Sequence, residues 1–236
     1  MRACQTDRFS ALLSGEPGIL SGWVATRHRT TVWTCLGAII LGAGFYGAAM
    51  GWWRSPLQGL FVAIKFPVII LLVAGGNAVL NAMIAPLLGV PLSLRQSFMA
   101  VLMSFAIASA ILGSFSPLTA YLVWNAPPLD AEVSRTSGSY ASILLTHVIL
   151  IAFAGIVANV HLLKLLWNIA GSRGAAYRVL IAWLAGNLFL GSQLCWILRP
   201  FIGAPGLPVQ FLRQEAFRGS FYETVLASFL KITGMN

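Results

Sequence analysis

Acidic side chains are the scarcest chemistry in this chain. Its 236 residues carry 6 Asp+Glu against 15 Lys+Arg. None of the six acids lies inside a long apolar run. A transporter driven by protons or cations normally needs a carboxylate at membrane depth, so this shortage weighs against that class. Charge of either sign is rare, at 9% of residues, where soluble domains hold roughly 25%. Cysteine is sparse too. Cys4, Cys35 and Cys195 show no CxxC spacing and no metal pattern, so no disulfide framework is expected. Two of them sit in apolar runs, where Cys packs as a small hydrophobe. The chain has no P-loop, no GxSxG, no HExxH and no paired carboxylates. No metal, no cofactor and no enzymatic activity are expected, and no internal repeat of useful length is present.

Apolar residues take the place of these groups. They make up 58% of the sequence, and the mean hydropathy is +0.83. The chain therefore reads as an integral membrane protein. In a soluble protein the net charge of +9 would point to nucleic acid. Here the basic residues flank apolar runs, as they do around membrane helices. No lysine run and no aromatic-basic ribbon exists, so no nucleic-acid partner is expected. A cleavable signal peptide is not expected either. The first long apolar run starts near Thr31, behind Arg2, Arg8, Arg27 and Arg29, too far from the start for a signal sequence.

Crossing the hydrocarbon takes roughly 20 mostly apolar residues. Five segments qualify, at about 31–52, 56–83, 94–122, 141–165 and 177–198. The fold class is all-α, a polytopic membrane helical bundle of about five transmembrane helices with amphipathic, interfacial terminal segments. Three divisions follow: an N-terminal cytoplasmic or interfacial segment 1–30, a five-helix domain 31–198, and a Gly/Pro-rich connector with an amphipathic helix over 199–236. Helix starts are marked by Ser55 with Pro56 and Gln58, by Ser93 with Gln96, and by Ser220 with Glu223, all capping-box patterns. The apolar link IAPLLGVPL, with Pro86, Gly89 and Pro91, is expected in the interface or dipping back into the membrane. With the N-terminus cytoplasmic, eight basic residues fall inside (Arg2, Arg8, Arg27, Arg29, Arg95, Lys164, Arg173, Arg178) and two in outer loops (Arg54, Arg135). This bias sets the orientation, although the basic tail after Arg199 runs against it. The location expected is a bacterial cytoplasmic (inner) membrane.

Polar residues at membrane depth are the candidates for function. Lys65, in AIKFPVIILL, lies nine residues after Pro56, on the order of 13 Å along the helix. Two readings stand for it. Its stem snorkels the ammonium toward the nearer surface, helped by the Ala63 carbonyl that Pro67 frees, or it contacts a lipid headgroup, an anionic ligand or a partner. Trp196 and Arg199 are suited to anchoring at the interface as lipid or partner contacts. Asn77, Asn81, His147, Asn159, Asn187 and Gln193 make a polar seam that packs helices or lines a pathway. His147 and His161 lie fourteen residues apart on one helix, about 21 Å, too far to share a metal.

Lys65 and Pro67, the link APLLGVPLSLRQS and Ser116-Pro117 give the segment 56–198 a layout that resembles bacterial members of the Yip-type integral membrane family. The resemblance implies a five-helix bundle with a cytoplasmic N-terminus and no known chemistry. Eukaryotic members are similar to trafficking adaptors that bind small GTPases. Their long soluble N-terminal region has no counterpart here, so that role is not carried over. The run from Arg199 to Asn236 also departs from the family, which normally ends near its last helix. The function expected is that of a non-enzymatic scaffold or accessory subunit, in contact with the lipid bilayer and with other membrane subunits or a second copy. The alternatives are a small transporter or channel component, a lipid-binding protein using Lys65, or a membrane enzyme of unrecognised type.

Overall fold

The structure is a computed structural model that describes residues 5–25, 29–127, 139–202 and 208–223. Among the described residues seven helices follow one another: α1 (Gln5–Ser14), α2 (Pro17–Ala25), α3 (Arg29–Trp52), α4 (Pro56–Leu87), α5 (Leu94–Trp124), α6 (Ser139–Ala170) and α7 (Arg173–Leu198). No strand occurs among the described residues. Five helices, α3 to α7, are long and apolar enough to cross a membrane. The protein is a multi-pass helical bundle, and each of the five segments read from the sequence coincides with one of these helices.

α3, α4 and α5 pack most closely, with α7 beside α4 and α6 beside α5. Small residues permit the α3 contacts. A Cβ at Gly47 would stand 2.7 Å from the Val62 carbonyl oxygen, and one at Gly51 2.7 Å from that of Gln58. A Cβ at Gly113 would stand 2.7 Å from the Cα of Gly42. Backbones this close gain dispersion and shed lipid, which is how helices associate where the solvent is itself apolar. The main core joins Cys35 and Ile39 of α3, the Met99–Ile107 stretch of α5, Leu165 and Leu166 of α6, and Val179 and Trp183 of α7. A smaller cluster around Tyr46, Met50, Val62, Leu112, Ala154 and Ile202 lies beyond it.

The bundle has two distinct ends. The exit face gathers the end of α3, the start of α4, the end of α5 and the chain leaving α7. There the Trp53 indole N–H donates to the Pro127 carbonyl at 3.0 Å. The opposite, N-terminal face carries α1 and α2. These two helices do not merely lie against the bundle as a surface segment. Leu12, Leu20 and Val24 are buried in the main core, because the corner at Gly15 (φ 64°) folds α2 onto α5 and α6. Glycine is required at this corner for its left-handed backbone and because the His161 ring occupies the place of a side chain.

The capping patterns resolve differently. Ser93 and Gln96 form the full reciprocal box. Ser220 and Glu223 do so as well, at 3.1 Å in each direction, but the amphipathic helix expected after them lies outside the described residues. Ser55 accepts from the Gln58 N–H at 3.0 Å, while the Gln58 side chain turns elsewhere. The link after α4 is a tight, hydrogen-bonded turn. Val90 N–H reaches the Ala85 carbonyl at 2.9 Å and Gly89 N–H that of Pro86 at 3.1 Å. This satisfies the helix end as a left-handed glycine cap does, and Val90 and Leu92 pack inward.

Candidate functional site

Lys65 is 1% exposed. Its Nζ donates to the Pro200 carbonyl at 3.0 Å. Gln58 stands seven residues earlier, two turns back on the same face. Its Nε2 donates to the same carbonyl at 2.9 Å and to that of Phe201 at 2.6 Å. The Phe201 and Phe211 ring centroids lie 6.0 and 4.9 Å from Nζ, within reach of a cation–π attraction. The ammonium is thus held between a carbonyl and two aromatic rings, and no carboxylate pairs with it among the described residues.

This arrangement corrects the snorkelling account. The acceptor is the Pro200 carbonyl, not that of Ala63, which faces Gly44 on α3. The cause lies in the chain that leaves α7. After Leu198 the last carbonyls of the helix have no helical partner, and Pro200, joined to Arg199 by a cis peptide bond, offers no N–H to continue a ladder. Buried carbonyls need donors, and α4 supplies two. The space remaining beside Gln58 and Pro200 is about 10 Å³, about what one water needs. Lys65 and Gln58 therefore pin the start of the exit strap, the described residues 199–202 and 208–223, to the bundle.

The polar seam separates into parts. Asn77 Nδ2 bonds Asn187 Oδ1 at 2.6 Å and the Trp183 carbonyl at 3.3 Å, tying α4 to α7. His147 Nδ1 meets the Tyr46 hydroxyl at 2.9 Å, tying α6 to α3. Asn159 turns to its own helix, donating to the Gly155 carbonyl at 2.8 Å. Gln193 accepts from Phe221 N–H at 3.3 Å, and the neighbouring Ser192 hydroxyl meets that of Tyr222 at 2.6 Å. Those two residues hold the strap, not a neighbouring helix. Asn81 is 1% exposed, yet neither amide atom has a hydrogen-bond partner among the described residues.

Trp196 and Arg199 form one unit. The Arg199 guanidinium lies 3.4 Å from the Trp196 ring centroid and donates to the Trp196 carbonyl at 2.7 Å. Partial burial, and then the nearby charge of Arg213, hold Arg199 below the usual arginine pKa. Both line an open groove of about 640 Å³ with Gln210, Arg213 and Arg218.

Sequence reasoning missed Tyr46, the bonds of the Gln58 side chain and the place of Arg213 in the groove, as well as the glycines of α3. Only the glycines left a readable signal. Ala43, Gly47 and Gly51 recur every four residues, the small-residue spacing of a close helix contact. Among the described residues no group of three His, Cys, Asp or Glu converges as metal ligands do.

Five membrane-length helices with polar side chains spent on cross-helix bonds define a multi-pass helical membrane protein. Comparison with protein-family models, with curated proteins and with solved structures found no match to the chain.

Proposed function

We propose that this is a non-enzymatic membrane subunit, a scaffold or accessory component that packs α6 and α7 against another membrane protein. The observation that carries the reading is the contrast in packing between the helices. In α3, α4 and α5, 39%, 44% and 50% of the apolar window is buried, against 17% in α6 and 11% in α7. α7 buries Ala175, Ala176, Val179, Leu180 and Trp183, while Tyr177, Ile181 and Leu188 stay 52%, 64% and 72% exposed on a broad outer face. The internal polar groups support the same reading, since Lys65, Asn77, His147 and Asn187 are all engaged in holding the chain together. The Yip-type layout, a bacterial inner membrane and a cytoplasmic N-terminus fit this proposal. In its favour, Arg29, Arg95, Lys164, Arg173 and Arg178 all fall at the ends of helices on the N-terminal face, as the positive-inside rule asks.

The test is purification from the native membrane in mild detergent, with native mass measurement. A stoichiometric second subunit is expected. Ile181→Trp with Leu188→Trp should release it, because added bulk is tolerated by lipid but not by a packed helix. Recovery of the wild-type chain as a clean monomer would refute the proposal.

A further inference from the structure

The exit strap leaves a groove lined by Arg199, Arg213 and Arg218, with Glu215 as the one carboxylate in its lining among the described residues. Arg199 comes from the end of α7, and Arg213 and Arg218 from the strap. Arg218 is already paired with Glu215 at 2.7 Å. Arg199 is fixed by its bond to the Trp196 carbonyl and by the indole beneath it, so its orientation is set in advance. Arg213 is only partly exposed, and no carboxylate pairs with it among the described residues. Both residues line the one groove, and the charge of Arg213 disfavours that of Arg199. Two like charges held together in a groove of about 640 Å³ are relieved by an anion placed between them, and guanidinium forks match the oxygens of a phosphate.

The surroundings indicate where that phosphate comes from. The groove opens just past Leu198, at the end of a helix long enough to cross a membrane. Phe217, next to Arg218 in the chain, is 80% exposed, and Phe211 and Leu212 are also exposed on the strap. Apolar side chains left bare beside arginines suit the boundary between headgroups and acyl chains. A site for a freely diffusing anion has no use for them. Lys65 contributes nothing here, being sealed under Pro200.

We propose that the Arg199–Arg213 groove binds the phosphate of an anionic phospholipid headgroup. The chemistry recognised is a phosphate oxyanion, which a free phosphate shares.

The experiment uses the full chain in detergent, with native mass spectrometry of retained lipid. Phosphatidylglycerol and phosphatidylcholine are supplied in equal amounts, and Arg213→Gln is compared with the wild type. Among the described residues no carboxylate pairs with Arg213, so the variant should keep its size-exclusion profile. Arg199→Gln, which loses the Trp196 contacts, serves as the second variant. Wild type should retain phosphatidylglycerol preferentially, and each substitution should reduce that preference by roughly fivefold, the weight of one arginine at an anionic surface. Lys164→Gln, at the other end of the bundle, should leave it unchanged. Equal retention of the two lipids, or a preference unmoved by Arg213→Gln, would overturn the proposal. A separate arm adds inorganic phosphate to protein loaded with phosphatidylglycerol. Displacement of phosphatidylglycerol by millimolar phosphate would overturn the lipid assignment in favour of a free anion.

Discussion

The Pro200 carbonyl accepts from two side chains, and this makes a quantitative prediction possible. Lys65→Met removes one donor, at 3.0 Å, and leaves the other, Gln58 Nε2, at 2.9 Å. The carbonyl is not orphaned. The loss is one charge-assisted bond and the attraction to two rings, offset by no longer burying an unpaired ammonium. The two sides nearly cancel, so the strap should loosen by about 1 kcal/mol or less. Membrane insertion should be preserved or improved, since a lysine near a helix centre costs about 2.5–3.5 kcal/mol on insertion scales. Gln58→Leu leaves Lys65 on Pro200 but strips the Phe201 carbonyl of its 2.6 Å donor, a loss of about 1–3 kcal/mol for an unsatisfied buried group. Together the two substitutions orphan both carbonyls. The double variant should exceed the sum of the singles by about 1–2 kcal/mol, a coupling expected of side chains that share a partner. Limited trypsin digestion reads this out, because Arg213 and Arg218 lie on the strap and cleavage there reports how often it opens. A coupling of that size raises the cleavage rate of the double variant roughly tenfold above the product of the two single effects. Strict additivity, or Lys65→Met alone freeing the strap as fully as the pair, would refute the shared-acceptor account.

Two other substitutions test the interior. Asn81→Leu should raise thermal stability in detergent by about 1 kcal/mol, because it replaces an unpartnered buried amide with an apolar group of similar volume; a clear loss of stability would mean that the amide has a bonding role. Tyr46→Phe should lower stability by about 1 kcal/mol, since it breaks the 2.9 Å bond to His147 that joins α3 to α6; no change in the melting midpoint would show that this contact does not hold the helices.

The five spanning helices were legible because lipid imposes one rule on every crossing segment, a long run of apolar residues, and each of the five runs meets it without ambiguity. The partners of the polar residues were not legible. Lys65 sits 135 positions from the carbonyl that receives it, and no local pattern can announce a contact between α4 and the chain beyond α7. Local reasoning offered the Ala63 carbonyl because Pro67 frees it, and the fold turned that carbonyl toward Gly44. The seam showed the same limit. Asn77 and Asn187 were both on it, and the structure joins them across α4 and α7. Asn159 and Gln193 have the same chemistry but point to their own helix and to the strap, because rotation about a helix axis depends on neighbours that the sequence pattern does not identify. Gln58 was read as a capping residue from its spacing to Ser55, and its backbone fills that role. Its side chain was free for another bond, and only the tertiary structure shows which.

The separation between Lys65 and Pro200 also bears on the order in which the protein is made. α4 enters the membrane with its lysine while the receiving carbonyl has yet to be synthesised, and at ordinary elongation rates those 135 residues take on the order of 10 s. Through that interval the ammonium must find water, a headgroup or an insertion factor. A chain that stalls before α7 keeps it unmatched indefinitely. The lysine thus labels an incomplete molecule as incomplete, and the mark disappears only when the end of the chain arrives.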